Sequence, residues 1–345
     1  MSTPRETPRE RTEQIERDTL SSFATLAADS KGRERPEPDD PLRTCFQRDR
    51  DRIVHAKAFR RLKHKTQVFL APEGDHYRVR LTHTLEVTQI ARTVARALRL
   101  NEDLAEAIGL GHDLGHTPFG HLGETALTPF LGRPFRHSEQ SLRVVDHLEN
   151  DGDGLNLTWE VRDGIVHHPW SMPAPSTPEA QIVRFADRIA YINHDVDDAV
   201  RAGVLDAATL PPGPLEVLGG THAERINTLV TDLVATSEGS PEVRLTEPVF
   251  RALDQLRDFM FEQVYLRPEA QVEQDEAMEM IRRLFSYFLE HPDEIPGEYD
   301  RAPGDLPTRV ADYVAGMTDR YALTTYERLF LPASRPEGGP GGSRG

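Results

Sequence analysis

An all-α fold is what the sequence predicts, and three observations point to it. Apolar residues recur at helical spacing: Val87, Ile90, Ala91, Val94 and Leu98 form one stripe, and Ile182, Phe185, Ile189, Ile192 and Val196 form another. Alternating apolar and polar runs of the kind that mark strands are scarce. The helical stretches are punctuated by "LAPEGD" at 70–75, "ENDGDG" at 149–154, "HPWSMPAPSTP" at 168–178, "LPPGP" at 210–214 and "HPDEIPGEYDRAPGDLP" at 291–307, whose prolines and glycines end helices. With no internal repeat, this describes a helical globule with long loops and a helical C-terminal extension.

The chain has 345 residues, enough for a sizeable core. Residues 1–40 are charged and rich in proline, and 331–345 include "SRPEGGPGGSRG", so both ends are expected to be partly disordered or loosely attached. Between them the breaks suggest a core over 41–205 and a helical region over 206–330 packed on it. Its 41 basic residues against 57 acidic ones give a net charge of −16, which argues against a wholesale phosphate-neutralising surface. The lone Cys45 excludes an internal disulfide or a cysteine-rich zinc site and fits a reducing compartment. No apolar run approaches the roughly 20 residues that span a bilayer, and "MSTPRETPRERTEQIERD" carries no apolar signal region. A cytoplasmic protein without membrane attachment is the expectation.

The chemistry-bearing residues follow in chain order. "RDRDRIVHAKAFRRLKHK" at 48–65 is a basic stretch that can track phosphates of single-stranded nucleic acid, or line a pocket or subunit interface through Arg60, Arg61, Lys63 and Lys65. In "RVRLTHTLEVTQIARTVARAL", His83 lies four residues before Val87 and shares its inward stripe, with Arg80 one turn earlier. A buried imidazole needs a partner, either a hydrogen-bonding core group or a ligand. "LAEAIGLG" closes another apolar helix and leads into "GLGHDLGHTPFGHLGE", residues 109–124, which holds His112, Asp113, His116, His121 and Glu124. His121 and Glu124 are expected on a following helix. In "QIVRFADRIAYINHDVDDAV", 181–200, Arg184, Asp187, Arg188, Tyr191 and Asp195 recur at three- and four-residue spacing beside the apolar stripe. Taken alone, that is a solvated, salt-bridged helix face. Set beside the imidazoles, His83, His112, Asp113 and Asp187 make a ligand set for a divalent Mn, Mg, Fe, Co, Ni or Zn ion, with positions left for water and substrate oxygens.

At these residues the sequence resembles the HD-domain metal-dependent phosphohydrolases, whose pattern is H…HD…D. "RDRDRIVHAKAFRRLKHKTQVF", "RVRLTHTLEVTQIAR", "GLGHDLGHTPFGHLGE", "HSEQSLRVV" and "ADRIAYINHDVDDA" resemble successive blocks of the deoxyguanosine-triphosphate triphosphohydrolase-like branch, in order over about residues 48–200. Beyond 201 the likeness is loose and rests on "LRDFMFEQVY".

The resemblance implies cleavage of a deoxynucleoside triphosphate, of dGTP and other bases, into deoxynucleoside and tripolyphosphate. It places the metal ligands at His83, His112, Asp113 and Asp187. Accessory catalytic roles fall on His116, His121, Glu124 and His137, and sugar and phosphate contacts on Gln67, Arg80, Arg188, Tyr191 and Asp195. His121, with Glu124 one turn on to orient and charge its ring, suits the general acid that protonates the departing sugar oxygen. Arg80 and Arg188 suit triphosphate oxygens. His116 and His137 suit direct catalysis and the orienting of ligands equally. Relatives of this architecture are generally homo-oligomers, so tetramers or hexamers are expected, with residues 1–40 and 291–307 as segments for exchange between subunits. The rival readings are another HD hydrolase, a nucleotidase or phosphodiesterase, and a nucleotide sensor or single-stranded nucleic-acid clamp built on a residual site.

Overall fold

In the computed structural model, residues 6–67, 78–265 and 268–331 are described; the "LAPEGD" break and the tail from 332 lie outside them. Helix α1 (Pro8–Thr19) opens with a capping box in which the Thr7 hydroxyl accepts from the Glu10 N–H and the Glu10 carboxylate accepts from the Thr7 N–H. Thr44 and Gln47 start α2 (Cys45–His55) in the same way, and α3 (Lys57–Arg61) follows. Next come α4 (Arg80–Ala97) and α5 (Glu102–Gly111), the latter capped by the Asn101 side chain, which accepts from two backbone N–H groups. Then follow α6 (His121–Leu131), α7 (His137–Arg143) and α8 (Trp159–His167). The long α9 (Pro178–Arg201) has Thr177 as cap and proline in its first turn, where a missing N–H costs nothing. The C-terminal helices are α10 (Pro212–Leu218), α11 (His222–Ser237), α12 (Glu247–Met260), α13 (Pro268–Glu290), α14 (Leu306–Gly316) and α15 (Asp319–Phe330). Among the described residues the only β pairing is two isolated bridges, Arg33 with Thr158 and Thr66 with Val79, so the molecule is all-α.

Two apolar cores organise these helices. In the first, α4, α5 and α9 pack together: Val87, Ile90 and Val94 meet Leu104 and Ile108, and Ile182, Ile189 and Ile192 close the third side. Burying each such side chain contributes roughly 1.5–3 kcal/mol. Helices α11 and α12 cover α9 through Leu229, Leu233, Leu253 and Leu256. Gly109 permits the close α4–α5 approach, because a Cβ there would stand 2.8 Å from Thr88 Oγ1 and 3.2 Å from the Thr88 backbone. In the second core, Ala126 and Leu127 of α6 join Leu284, Phe285 and Phe288 of α13 and Val310 and Val314 of α14. The loop between α5 and α6 therefore runs from one core to the other.

The N-terminal segment departs from the expectation of a loosely attached arm. Residues 20–40 form a strap whose polar groups are bound to the first core. Fully buried Glu179 accepts from the Thr25 N–H at 2.9 Å, the Thr25 hydroxyl at 2.8 Å and the Asn101 N–H at 3.0 Å. Arg33 pairs with buried Asp49, and Glu160 accepts from the Lys31 N–H at 2.7 Å. Composition counts charges without showing that each has a fitted partner, which is why the strap reads as disorder in sequence. Residues 291–307 likewise pack on their own chain: Tyr299 is buried, Glu298 meets Lys57 at 3.0 Å, and Arg301 donates to the Asp151 carbonyl at 2.9 Å.

One buried carboxyl in this region gives a stability prediction. Glu16 accepts from the Ala27 N–H at 2.7 Å, and burial, outweighing its hydrogen bonds, pushes its pKa up to about 7 from an ordinary 4.5. Between those values the folded state holds a proton that the unfolded state has lost. The contribution of Glu16 to stability thus falls as pH rises through that window and stays lower above it. Glu16→Gln keeps an acceptor for Ala27 without the charge. It is expected to gain on the order of 1–3 kcal/mol over wild type at pH 8 and little at pH 4, measured by denaturant unfolding. Equal effects at both pH values would refute this account.

Candidate metal centre

His83 stands on the inner face of α4, His112 and Asp113 follow the last turn of α5, and Asp187 projects from α9. The packing of these three helices brings them together. His83 Nε2 lies 3.1 Å from Asp187 Oδ1 and 4.0 Å from Asp113 Oδ2. His112 Nε2 lies 3.5 Å from Asp113 Oδ1 and 3.9 Å from Asp187 Oδ1. The Gly109 carbonyl, 2.7 Å from His112 Nδ1, makes that nitrogen the donor and leaves Nε2 with a lone pair aimed at the two carboxylates. Both His112 Nε2 and His83 Nδ1 are buried without a hydrogen-bond partner among the described residues. Buried polar atoms are seldom left so. His83, His112 and Asp113 form a donor group able to hold a divalent ion, and Asp187 Oδ1 lies within 3.9 Å of both imidazoles.

The electrostatics match a cation site. Burial alone would raise the Asp113 pKa, but the positive charge around it, with the Arg80 guanidinium 2.9 Å from Oδ2, holds it well below the usual carboxylate range. Burial likewise opposes the Asp187 charge, and His83 and His112 bring it down to about 2. His83 is held up by Asp187 and Asp113 against its burial. These carboxylates are ionised under all ordinary conditions and supply negative charge to whatever they bind.

A second histidine cluster adjoins the first. His116 Nε2 is 3.4 Å from Asp113 Oδ1, and its ring stacks on His137 with centroids 3.9 Å apart. Burial first, then the Arg80 charge, keeps His116 well below the usual imidazole range, so it is neutral. Glu124 Oε1 lies 3.1 Å from His121 Nδ1 and 2.8 Å from His137 Nδ1. His137 Nε2 meets His168 Nε2 at 3.1 Å, and His168 Nδ1 lies 2.8 Å from the Ile165 carbonyl. That carbonyl accepts from His168 Nδ1, so His168 Nε2 must accept from His137. Both His137 nitrogens therefore donate, and its ring is cationic, which agrees with a pKa that Glu124 raises against burial. His168 is neutral, lowered to about 3 by burial and by the nearby His112 and His137. His121 alone is exposed, with 76% of its side chain accessible and Glu124 at its back.

Of the residues expected to hold sugar and phosphates, Arg80 lies beside the cluster. Gly120 makes room for it: a Cβ there would be 2.8 Å from Arg80 Nη2, and the Gly120 φ of +59° suits glycine. Gln67 is the last residue described before 78; its carbonyl is 3.8 Å from the same Cβ position, and its Oε1 is buried without a partner among the described residues. Asp195 is buried, its Oδ2 accepting from the Tyr265 hydroxyl and its Oδ1 unpartnered among the described residues. Burial outweighs that bond and pushes its pKa up to about 7. Tyr191 is half-buried, its phenol pushed up to about 12 by burial. Arg188, next to Asp187 on α9, has its guanidinium taken up by other groups. It pairs with Asp254 of α12 and stacks on Trp170 at 4.7 Å.

Sequence reasoning missed His168 and Tyr265. The first sits in a stretch read only as a helix break, although an imidazole ending an apolar helix was a usable signal; the second lies in "LRDFMFEQVY", to which no chemistry was attached. In the 48–65 stretch Arg60 and Lys63 are exposed and part of the remaining charge is taken up by acidic neighbours. Arg48 and Arg52 pair with Glu37, Arg50 with Asp51 and Glu106, and Lys57 with Asp151 and Glu298, while Lys65 is buried.

Residues 80–192 match the HD domain family, and residues 243–328 match the phosphohydrolase-associated domain. Among curated proteins, the chain is 56% identical to the deoxyguanosinetriphosphate triphosphohydrolase-like protein of Caldanaerobacter subterraneus subsp. tengcongensis, over 94% of this chain and 96% of that one. It is 50% identical to the protein of the same description from Desulfatibacillum aliphaticivorans, over 94% of this chain and 99% of the other. Among solved structures, a phosphohydrolase from Bacteroides thetaiotaomicron shares the fold, with a TM-score of 0.51 at 17% identity over 79% of this chain and 67% of that one. Among the described residues no helix is long and apolar enough to cross a membrane.

Proposed function

Because the chain belongs to the deoxyguanosinetriphosphate triphosphohydrolase-like family of HD phosphohydrolases, we propose that it hydrolyses deoxynucleoside triphosphates, dGTP among them, to deoxynucleoside and tripolyphosphate. The observation that carries this reading is the convergence of His83, His112, Asp113 and Asp187 beside an exposed His121 backed by Glu124. A divalent ion held by those four residues, Mg, Mn or another transition metal such as Fe, Co, Ni or Zn, would supply Lewis acidity toward water and an α-phosphate oxygen.

The protein's own groups do the rest. Water oxygen bonds to the α-phosphorus, the bond from phosphorus to the deoxyribose oxygen breaks, and the departing oxygen takes a proton from His121 Nε2. The proton the water loses goes to solvent, from which the exposed His121 is reprotonated. Glu124 accepts from His121 Nδ1, which orients the ring and leaves Nε2 as the nitrogen that transfers the proton. Arg80, anchored through Nη1 on Asp113, brings positive charge to the triphosphate. His116 and the cationic His137 add polar support on the same side. Asp195, with one carboxylate oxygen bonded to Tyr265 and the other unpartnered among the described residues, is suited to a sugar hydroxyl, and Tyr191 to the deoxyribose face. Arg188 reaches a phosphate only by exchanging Asp254 for it. Association into tetramers or hexamers belongs to the same proposal, and light scattering with and without nucleotide tests it.

Product analysis decides the reaction. In heavy-oxygen water, with each deoxynucleotide alone and in mixtures and with Mn or Mg, the label is expected in tripolyphosphate and absent from the nucleoside. Pyrophosphate with a nucleoside monophosphate would make the protein a pyrophosphohydrolase, and orthophosphate with a diphosphate would make it another kind of phosphatase.

A further inference from the structure

The turn that delivers His121 is held from outside the HD region. Phe119 has φ +59°, a left-handed value that a bulky residue adopts only under constraint, and Gly120 follows at φ +59° and ψ −130°. The Phe119 N–H donates to Asp319 Oδ1 at 3.1 Å, and the Thr66 N–H donates to Asp319 Oδ2 at 2.8 Å. Asp319 begins α15, inside the phosphohydrolase-associated segment. A second tie runs parallel to the first: Lys65 Nζ donates to the His116 carbonyl and, at 2.8 Å, to the Ala315 carbonyl at the end of α14. Both side chains are buried. Between them they fix the backbone at 116 and 119, the residues flanking the turn.

We propose that Asp319 and Lys65 are positioning residues, a latch by which the α14–α15 corner holds the 116–120 turn in the conformation that sets His121 on Glu124. Without an acceptor for its N–H, Phe119 relaxes toward negative φ. Rotation there swings Gly120 and His121 together, because they are the next residues in the chain. Gly120 also lies against Arg80, so the same rotation disturbs the guanidinium on Asp113. The C-terminal region in this view completes the site instead of merely covering it. The effect on turnover rests on the reading of His121 given above; the latch itself does not.

The test uses the full-length, metal-loaded protein and the variants Asp319→Ala, Asp319→Asn and Lys65→Met. Hydrogen exchange of peptides covering 114–124 is expected to speed up about 10- to 100-fold in Asp319→Ala, the scale of one lost charge-assisted hydrogen bond. Asp319→Asn, which keeps one acceptor oxygen, is expected to fall between it and wild type. Lys65→Met removes the second tie and is expected to loosen the same peptides. Exchange in α4 peptides and bound metal per chain are expected to stay at wild-type values, which separates a local latch from general loss of stability. With deoxynucleotide, kcat is expected to drop at least about tenfold with KM changed much less. Unchanged exchange over 114–124 in Asp319→Ala overturns the latch, and faster exchange with undiminished kcat overturns its positioning role. A wild-type protein that spares every deoxynucleotide refutes the proposed function, while the exchange data still decide the latch.

Discussion

Asp113→Asn and His112→Ala are each expected to abolish turnover and tight metal retention while far-ultraviolet circular dichroism keeps its helical signature. Asp113 lies within 4.0 Å of His83, His112 and His116 and carries the Arg80 guanidinium. Asparagine preserves its volume and one acceptor oxygen for Arg80, but removes the charge that holds a cation. His112→Ala removes the orphaned Nε2 and opens a cavity, which costs about 2–5 kcal/mol. The fold tolerates this, because α4, α5 and α9 remain joined by Val87, Ile108, Ile189 and their neighbours. A bound metal contributes several kcal/mol to such a reaction, so the loss in kcat/KM is expected to exceed about 10³-fold. Metal per chain by atomic spectroscopy and turnover on the same preparation check it. Either variant with wild-type metal content and full activity would remove the HD centre as the site of chemistry.

His121→Ala is expected to behave differently, retaining metal and nucleotide while losing about 10² to 10⁴ in turnover, the range for a positioned general acid. The side chain is exposed, so its removal leaves both cores intact, and Glu124 keeps His137 at 2.8 Å. Glu124→Gln is expected to lose less, because it tunes the ring without transferring the proton. A nitrophenyl phosphate ester, whose leaving group needs little protonation, is expected to recover part of the activity. Equal loss with that ester would show that His121 acts on something other than the leaving group. Loss of metal with the mutation would make it a ligand, a role open to it in geometry since His121, Glu124 and His137 themselves form a possible donor cluster.

Much of this site was legible before any coordinates. The stripe Val87, Ile90, Val94 put His83 inward, the apolar α5 led directly to His112 and Asp113, and a helix does begin at His121, with Glu124 one turn on. These features depend on periodicity and capping, which act between residues three or four positions apart. Arg188 marks the limit of that reach: spacing assigns it to a face but not to a neighbour, and α12 supplies Asp254. Charge density alone does not distinguish the N-terminal strap from a loose arm, whereas in the fold Thr25 and Arg33 each have a fitted partner.

By itself, then, the sequence determined the helical class, the family and which residues are proposed for the chemistry. The tertiary structure decided their protonation and their support. His168 reaches His137 across 31 residues, Tyr265 reaches Asp195 across 70, and Asp319 reaches Phe119 across 200. No local signal encodes such pairs. They follow from which apolar faces of α4, α6, α9, α13 and α14 bury against one another, and burial in turn sets which carboxylates stay charged and which imidazoles stay neutral.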